Sequence, residues 1–162
     1  MTEIFRIPVR RGERLGASSP LGAPARDGTF EGYASLFNTP DRGGDIVAPG
    51  AFSRALSVKG PGGVRLLYQH LASEPVGVWT ELREDAKGLF ARGRLLTDLA
   101  RGRETLALMR EGAIDGLSIG FRTVRARKDP KTGRRTIWEA DLWEISIVTF
   151  PMLDAARITA VA

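Results

Sequence analysis

The stretch GLSIGFRTVRARKDPKTGRRTIWEADLWEISIVTF, residues 116–150, decides the reading of the fold. Residues 117–127 alternate apolar and polar side chains with the period of two that a half-buried strand requires. Asp129-Pro130-Lys131-Thr132-Gly133 is turn chemistry: Asp bonds nearby backbone, Pro presets φ, and Gly accepts positive φ. Residues 136–150 are again β-rich. The pattern predicts two long strands joined as a hairpin.

Upstream of this hairpin the period is different. Leu95, Leu99, Leu106, Met109 and Ala113 fall on one face of a helix over residues 98–111, with Thr97 or Asp98 to cap it and Gly112 to end it. Further upstream, residues 64–70 (VRLLYQH), 76–84 (VGVWTELRE) and 89–96 (LFARGRLL) read as strands, with a turn at Lys87-Gly88. Residues 51–56 suit a short helix, and 38–50 (NTPDRGGDIVAPG) a turn-rich loop. Residues 29–37 (TFEGYASLF) alternate, with Phe30, Gly32, Ala34 and Leu36 on one face. Residues 2–10 form a strand candidate, and the Gly, Pro, Ser and Arg of 11–28 a flexible connection. The expected organisation is an N-terminal strand and arm over 1–28 and one domain over 29–162, mainly β (α+β).

Composition narrows the chemistry. The 162 residues are 43% hydrophobic and 27% charged, enough to bury a core. Without cysteine there is no disulfide, thiolate metal site or cysteine nucleophile. The single histidine excludes a two-histidine zinc site. Neither metal nor other cofactor is expected. No apolar run approaches the ~18 residues of a membrane span, so a soluble intracellular protein without membrane association is expected. The net charge is +5, and 20 of the 24 basic residues are arginine.

Gly116-Leu117-Ser118-Ile119-Gly120 matches G-x-S-x-G, the nucleophile elbow of α/β-hydrolases. That reading fails. An elbow needs a helix after the serine, where residues 121–127 alternate as a strand, and no histidine follows Ser118. On a strand, Ser118 shares its face with Gly116 and Gly120, which leaves room for a peptide, while Leu117, Ile119 and Phe121 face the core. A serine hydroxyl needs a base to become a nucleophile, and His70 is the only imidazole. A carboxylate to orient it is sought in WEADLWEIS, residues 138–146. Glu144 shares a face with Leu142, Ser146 and Val148; Asp141 shares the opposite face with Trp143, Ile145 and Ile147. Periodicity leaves both open. Arg125, Arg127, Lys128, Lys131, Arg134 and Arg135 cluster around the hairpin turn, where specific nucleic-acid binding is not the expected role.

Six segments taken in order, GYASLFNTPDRGGDIVAPGAF, LLYQH, EPVGVW, GLFARGRL, REGAIDGLSIGF and LWEISIVTFP, resemble the prohead proteases of tailed bacteriophages, distant relatives of the herpesvirus assemblins. The resemblance runs from about Phe30 to Arg157. It implies a serine peptidase on an assemblin-like closed β-barrel with a few flanking helices. It matches His70 to the family histidine and Ser118 to the nucleophile, with Gly116 and Gly120 beside the substrate. Assemblins use a second histidine that this chain lacks, so the implied third member is Glu144, with Asp141 the alternative. Arg157 is a candidate contributor to an oxyanion hole. The implied substrates are the major capsid protein, its scaffold segment and the protease itself, inside the immature capsid in the host bacterial cytoplasm. Self-association is a further implied property. The source is a phage, a prophage or a phage-derived gene transfer agent. The competing readings are a non-catalytic capsid- or scaffold-binding module and a basic nucleic-acid-binding β domain.

Overall fold

The expected hairpin is the spine of the molecule. In the computed structural model, which describes residues 27–162, β6 (Gly116–Lys128) and β7 (Arg135–Val148) pair antiparallel along their whole length. The turn closes as its chemistry dictates, with Asp129 Oδ1 accepting the Lys131 N–H at 2.8 Å. The opposite edge of β7 takes two parallel partners. β2 (Asp45–Val47) pairs with Arg135–Ile137, and β3 (Arg65–Tyr68) with Glu144–Ile147. From β3 the sheet continues antiparallel through β4 (Leu71–Glu84), β5 (Gly88–Leu95), β1 (Thr29–Leu36) and β8 (Ile158–Val161).

This mainly β sheet curls as a half-barrel around one core. Phe30, Phe52, Leu66, Leu89, Leu95, Leu117, Leu142, Ile145 and Ile147 are all essentially inaccessible. Each such side chain contributes ~1.5–3 kcal/mol by leaving water. Closure of the barrel is partial. The Leu117 N–H donates to Ala156 O (2.9 Å) and the Ile158 N–H to Asp115 O (2.8 Å), which joins the start of β6 to the segment before β8. From Ser118 onward the outer edge of β6 has no ladder among the described residues.

Several local expectations change. The 38–50 loop contains β2, held by a bidentate ion pair from Arg135 to Asp45 (2.8 and 2.6 Å). The first helix, α1, is Ser53–Lys59, and its start is capped from a distance: Glu84 accepts the Phe52 N–H at 3.0 Å and the Ser53 hydroxyl at 2.5 Å. The second, α2, is Ala100–Arg110. Neither Thr97 nor Asp98 caps it; Leu99 occupies that position, and the Arg103 guanidinium instead binds the Thr97 and Asp98 carbonyls at 3.0 and 3.1 Å. Its buried face is Gly102, Thr105, Leu106 and Met109, with Leu99 turned to solvent. Gly112, at φ 68°, follows its end as expected. The strand and arm expected over 1–28 lie outside the described residues, apart from Asp27 and Gly28.

Candidate active site

The β6–β7 register builds one polar patch in an apolar sheet. Ser118 stands directly opposite Ser146, and Gly120 opposite Glu144. Directly opposed residues in an antiparallel pair project from the same face, with Cβ atoms ~5 Å apart. Ser118, Ser146 and Glu144 therefore converge, while Leu117, Ile145 and Ile147 anchor both strands in the core.

The faces of β7 differ from a strict alternation. Gly120 pairs with Glu144 but Phe121 with Leu142, so Trp143 is an extra residue, a bulge. The bulge turns Leu142 into the core with Ile145 and Ile147, not onto the face of Glu144. The face of Glu144 is thus polar near the site rather than mostly apolar. Asp141 lies elsewhere. Its carboxylate is paired with Lys59, accepts the Trp143 indole N–H at 2.9 Å and stands 3.7 Å from Arg122. The Lys59 and Trp143 contacts and the nearby Arg122 charge hold it below the usual carboxylate range.

His70 reaches the patch from a turn, not from a strand end. β3 stops at Tyr68, which pairs with Leu71, so Gln69-His70 is a two-residue hairpin loop. Both residues have positive φ, 53° and 58°, as a type I′ turn requires. Neither is glycine or asparagine, and the left-handed conformation costs about 1–2 kcal/mol per residue. Local bonds offset that cost. Gln69 Nε2 donates to Thr149 Oγ1 (2.7 Å) while its Oε1 accepts the Thr149 N–H (3.2 Å), and the Gln69 N–H donates to Ile147 O (2.9 Å). The His70 N–H donates to Ser146 Oγ at 3.0 Å.

The ring is fixed by Glu144. His70 Nδ1 lies 2.5 Å from Glu144 Oε1, and Glu144 Oε2 accepts the Ser146 hydroxyl at 2.7 Å. The hydrogen bond to Glu144 raises the imidazole pKa above its usual 6.5, against the opposing effect of partial burial. An imidazole whose Nδ1–H donates to a carboxylate keeps Nε2 as its acceptor. Ser118 is 3% exposed and its Oγ has no hydrogen-bond partner among the described residues. It borders a narrow, mostly apolar cleft that includes Ala34, Val47, Phe121 and Met152.

The two glycines act differently from the expectation that they leave space for a peptide. A Cβ on Gly120 would stand 2.8 Å from Glu144 Cδ, and one on Gly116 would stand 2.6 Å from Val148 O and 2.8 Å from Pro151 Cδ. The space beside each is already filled, so Gly120 admits the Glu144 carboxylate and Gly116 admits the chain reversal at Pro151. The Arg157 guanidinium donates to Asp115 Oδ1 and to Asp154 O, both at 2.7 Å, near the Gly116 end. Sequence reasoning assigned no role to Ser146, which is fully buried and binds both Glu144 and the His70 backbone. Its period-two spacing from Glu144 was the available signal.

This curled sheet, with its serine on one long strand, has the fold of capsid assembly proteases. The bacteriophage T4 capsid assembly protease superposes with a TM-score of 0.55 at 17% identity, over 74% of this chain and 80% of that one. KSHV protease in complex with a hexapeptide phosphonate inhibitor gives 0.54 at 11% identity, over 81% and 63%. The chain belongs to the Caudovirus prohead serine protease family, whose model matches residues 18–162. It is 41% identical over 139 residues to the prohead protease of Enterobacteria phage HK97, covering 83% of this chain and 60% of that protein. It is 30% identical over 129 residues to the capsid polyprotein of Pseudomonas phage PAJU2, covering 76% of this chain and 18% of the polyprotein. The chain thus spans about 60% of the length of its HK97 relative.

Proposed function

We propose that this chain is a serine endopeptidase that trims the major capsid protein, its scaffold segment and itself inside the immature capsid. The observation that carries this reading is the His70 ring, tied through Nδ1 to Glu144 and held by its own backbone to Ser146, the direct neighbour of Ser118. Neutral His70 takes the Ser118 proton at Nε2 as Oγ attacks the scissile carbonyl carbon. The imidazolium then gives that proton to the leaving amine, and the C–N bond breaks to leave an acyl-enzyme. Water, deprotonated by the same nitrogen, releases the acyl group and restores Ser118. Glu144 holds the tautomer and stabilises the imidazolium during both steps.

The test is co-expression with the cognate capsid protein, followed by sequencing of that protein's amino terminus. Wild type yields a trimmed terminus. Ser118→Ala yields a folded protease and an untrimmed terminus, because loss of the nucleophile removes several orders of magnitude of rate. A serine-directed phosphonate labels the wild type and not the variant. Trimming by pure Ser118→Ala protein refutes the assignment.

A further inference from the structure

The tip of the β6–β7 hairpin carries a charge that the remainder of the body does not. Residues 125–135 hold six cations against one carboxylate, Asp129. The rest of the chain holds eighteen Lys and Arg against eighteen Asp and Glu. The rest of the chain is therefore net neutral, and the tip carries the whole of the +5 charge. Arg135 is committed to Asp45 at 2.6 Å. Among the described residues, Arg125, Arg127, Lys128, Lys131 and Arg134 have no carboxylate at ion-pair distance. Asp129 is occupied by the turn itself: it accepts the Lys131 N–H and the Thr132 hydroxyl, which keep it below the usual carboxylate range.

An aromatic cleft lies beside these cations. Arg125 pairs with Glu139 and Ala126 with Ile137, so Trp138 bulges from the ladder. Trp138 is 47% exposed and lines a surface cleft with Arg127, Lys128, Asp129, Pro130 and Thr136; the Asp129 carboxylate there is engaged by the turn. Arg125 and Arg127 stand two residues apart on one strand, roughly 7 Å, the interval at which an extended peptide repeats side chains on one face. Lys128 lies ten residues along β6 from Ser118, roughly 30 Å away, so the tip is separate from the peptidase chemistry.

We propose that the hairpin tip is a docking surface for an acidic polypeptide segment that carries an apolar side chain among its carboxylates. The carboxylates meet Arg125, Arg127 and Lys128, and the apolar side chain enters the Trp138 cleft. A short peptide fits within the cationic pole. A nucleic-acid tract would run beyond it onto a body whose carboxylates equal its cations in number and offer no net attraction to phosphate. Docking at the tip raises the local concentration of an attached substrate without altering the site.

The probe is a fluorescein-labelled peptide of about twelve residues, glutamate-rich with a central leucine, titrated with the full chain and followed by anisotropy. A dT oligonucleotide of equal charge is run in parallel. The peptide binds with a salt-dependent Kd, weakened at least about tenfold by Arg125→Glu with Arg127→Glu. Neutralisation by Lys128→Gln, Lys131→Gln and Arg134→Gln weakens it in the same direction, and Trp138→Ala does so at constant charge. The control of equal charge change, Arg103→Glu with Arg110→Glu on α2, leaves the Kd within about twofold. Hydrolysis of a short substrate that does not reach the tip stays at the wild-type rate in every tip variant, which separates this idea from the peptidase reading. Unchanged affinity in the tip variants, an equal loss in the α2 control, or tighter binding of the oligonucleotide overturns the proposal.

Discussion

Replacing Gly120 with alanine tests the site without touching any group assigned to the chemistry. The new Cβ would stand 2.8 Å from Glu144 Cδ and 2.9 Å from Cγ, where ordinary carbon contacts begin near ~3.5 Å. The Glu144 side chain must retreat by on the order of 1 Å. Its 2.5 Å bond to His70 Nδ1 then opens to about 3.5 Å, outside hydrogen-bond reach. A displacement of that size costs about 10²-fold in kcat/KM. The colliding atoms belong to the end of a side chain that can rotate, so the backbone ladder survives and Tm falls little. The raised imidazole pKa relaxes toward 6.5 as its partner withdraws, so the acidic limb of the rate profile moves to lower pH. The assay pairs thermal melts with kcat/KM measured across pH on a peptide substrate. Wild-type rate and an unmoved limb in folded Gly120→Ala protein would show that the Glu144–His70 contact does not matter for turnover.

The wild-type rate should rise with pH through a single ionisation above 6.5, because the Glu144 bond favours the imidazolium and only neutral His70 accepts the serine proton; a limb at or below 6.5 in a pH–kcat/KM series contradicts this. The same contact stabilises the fold fully below the unfolded imidazole pKa, and that contribution is lost as pH rises through the raised folded value, a slope that chemical denaturation should find flattened in Glu144→Gln. Glu144→Gln should also lower kcat by about 10²–10⁴, whereas Asp141→Asn should leave kcat near wild type and lower Tm, since Asp141 serves Lys59 and Trp143. Ser146→Ala removes one bond to Glu144 and orphans the His70 N–H; denaturant titration should show a loss of ~1–3 kcal/mol, and kcat should fall more than KM changes.

The hairpin was legible because both strands follow period two and the turn uses ordinary Asp, Pro and Gly chemistry. Ser118 was legible for the same reason: its face follows from counting. Three features were hidden, each for a physical cause. β2 has three residues and one ladder partner, the parallel β7 some ninety residues later, so its length does not mark it and the turn before it reads simply as loop. The bulge at Trp143 reverses the faces of β7, and no residue type announces a bulge, so Leu142 was placed beside Glu144 although it lies in the core. His70 sits in a turn that normally selects Asn-Gly. Gln-His succeeds there only because Thr149 and Ser146, some eighty residues later, hold it. Periodicity left Glu144 and Asp141 both open, and only the family resemblance pointed to Glu144.

The parallel ladder between β3 and β7 also sets an order of events during folding. Ser118 and Glu144 belong to one hairpin and meet when it zips. His70 joins only when a segment some seventy residues upstream docks on the far edge of β7. Long loops close later than short ones, because their entropy must be offset before the contact forms. On the proposed assignment the imidazole is therefore the last of the three to arrive, and a partly folded chain carries Ser118 without His70 beside it. On the same assignment, regain of hydrolysis during refolding should report the docking of β3 on β7.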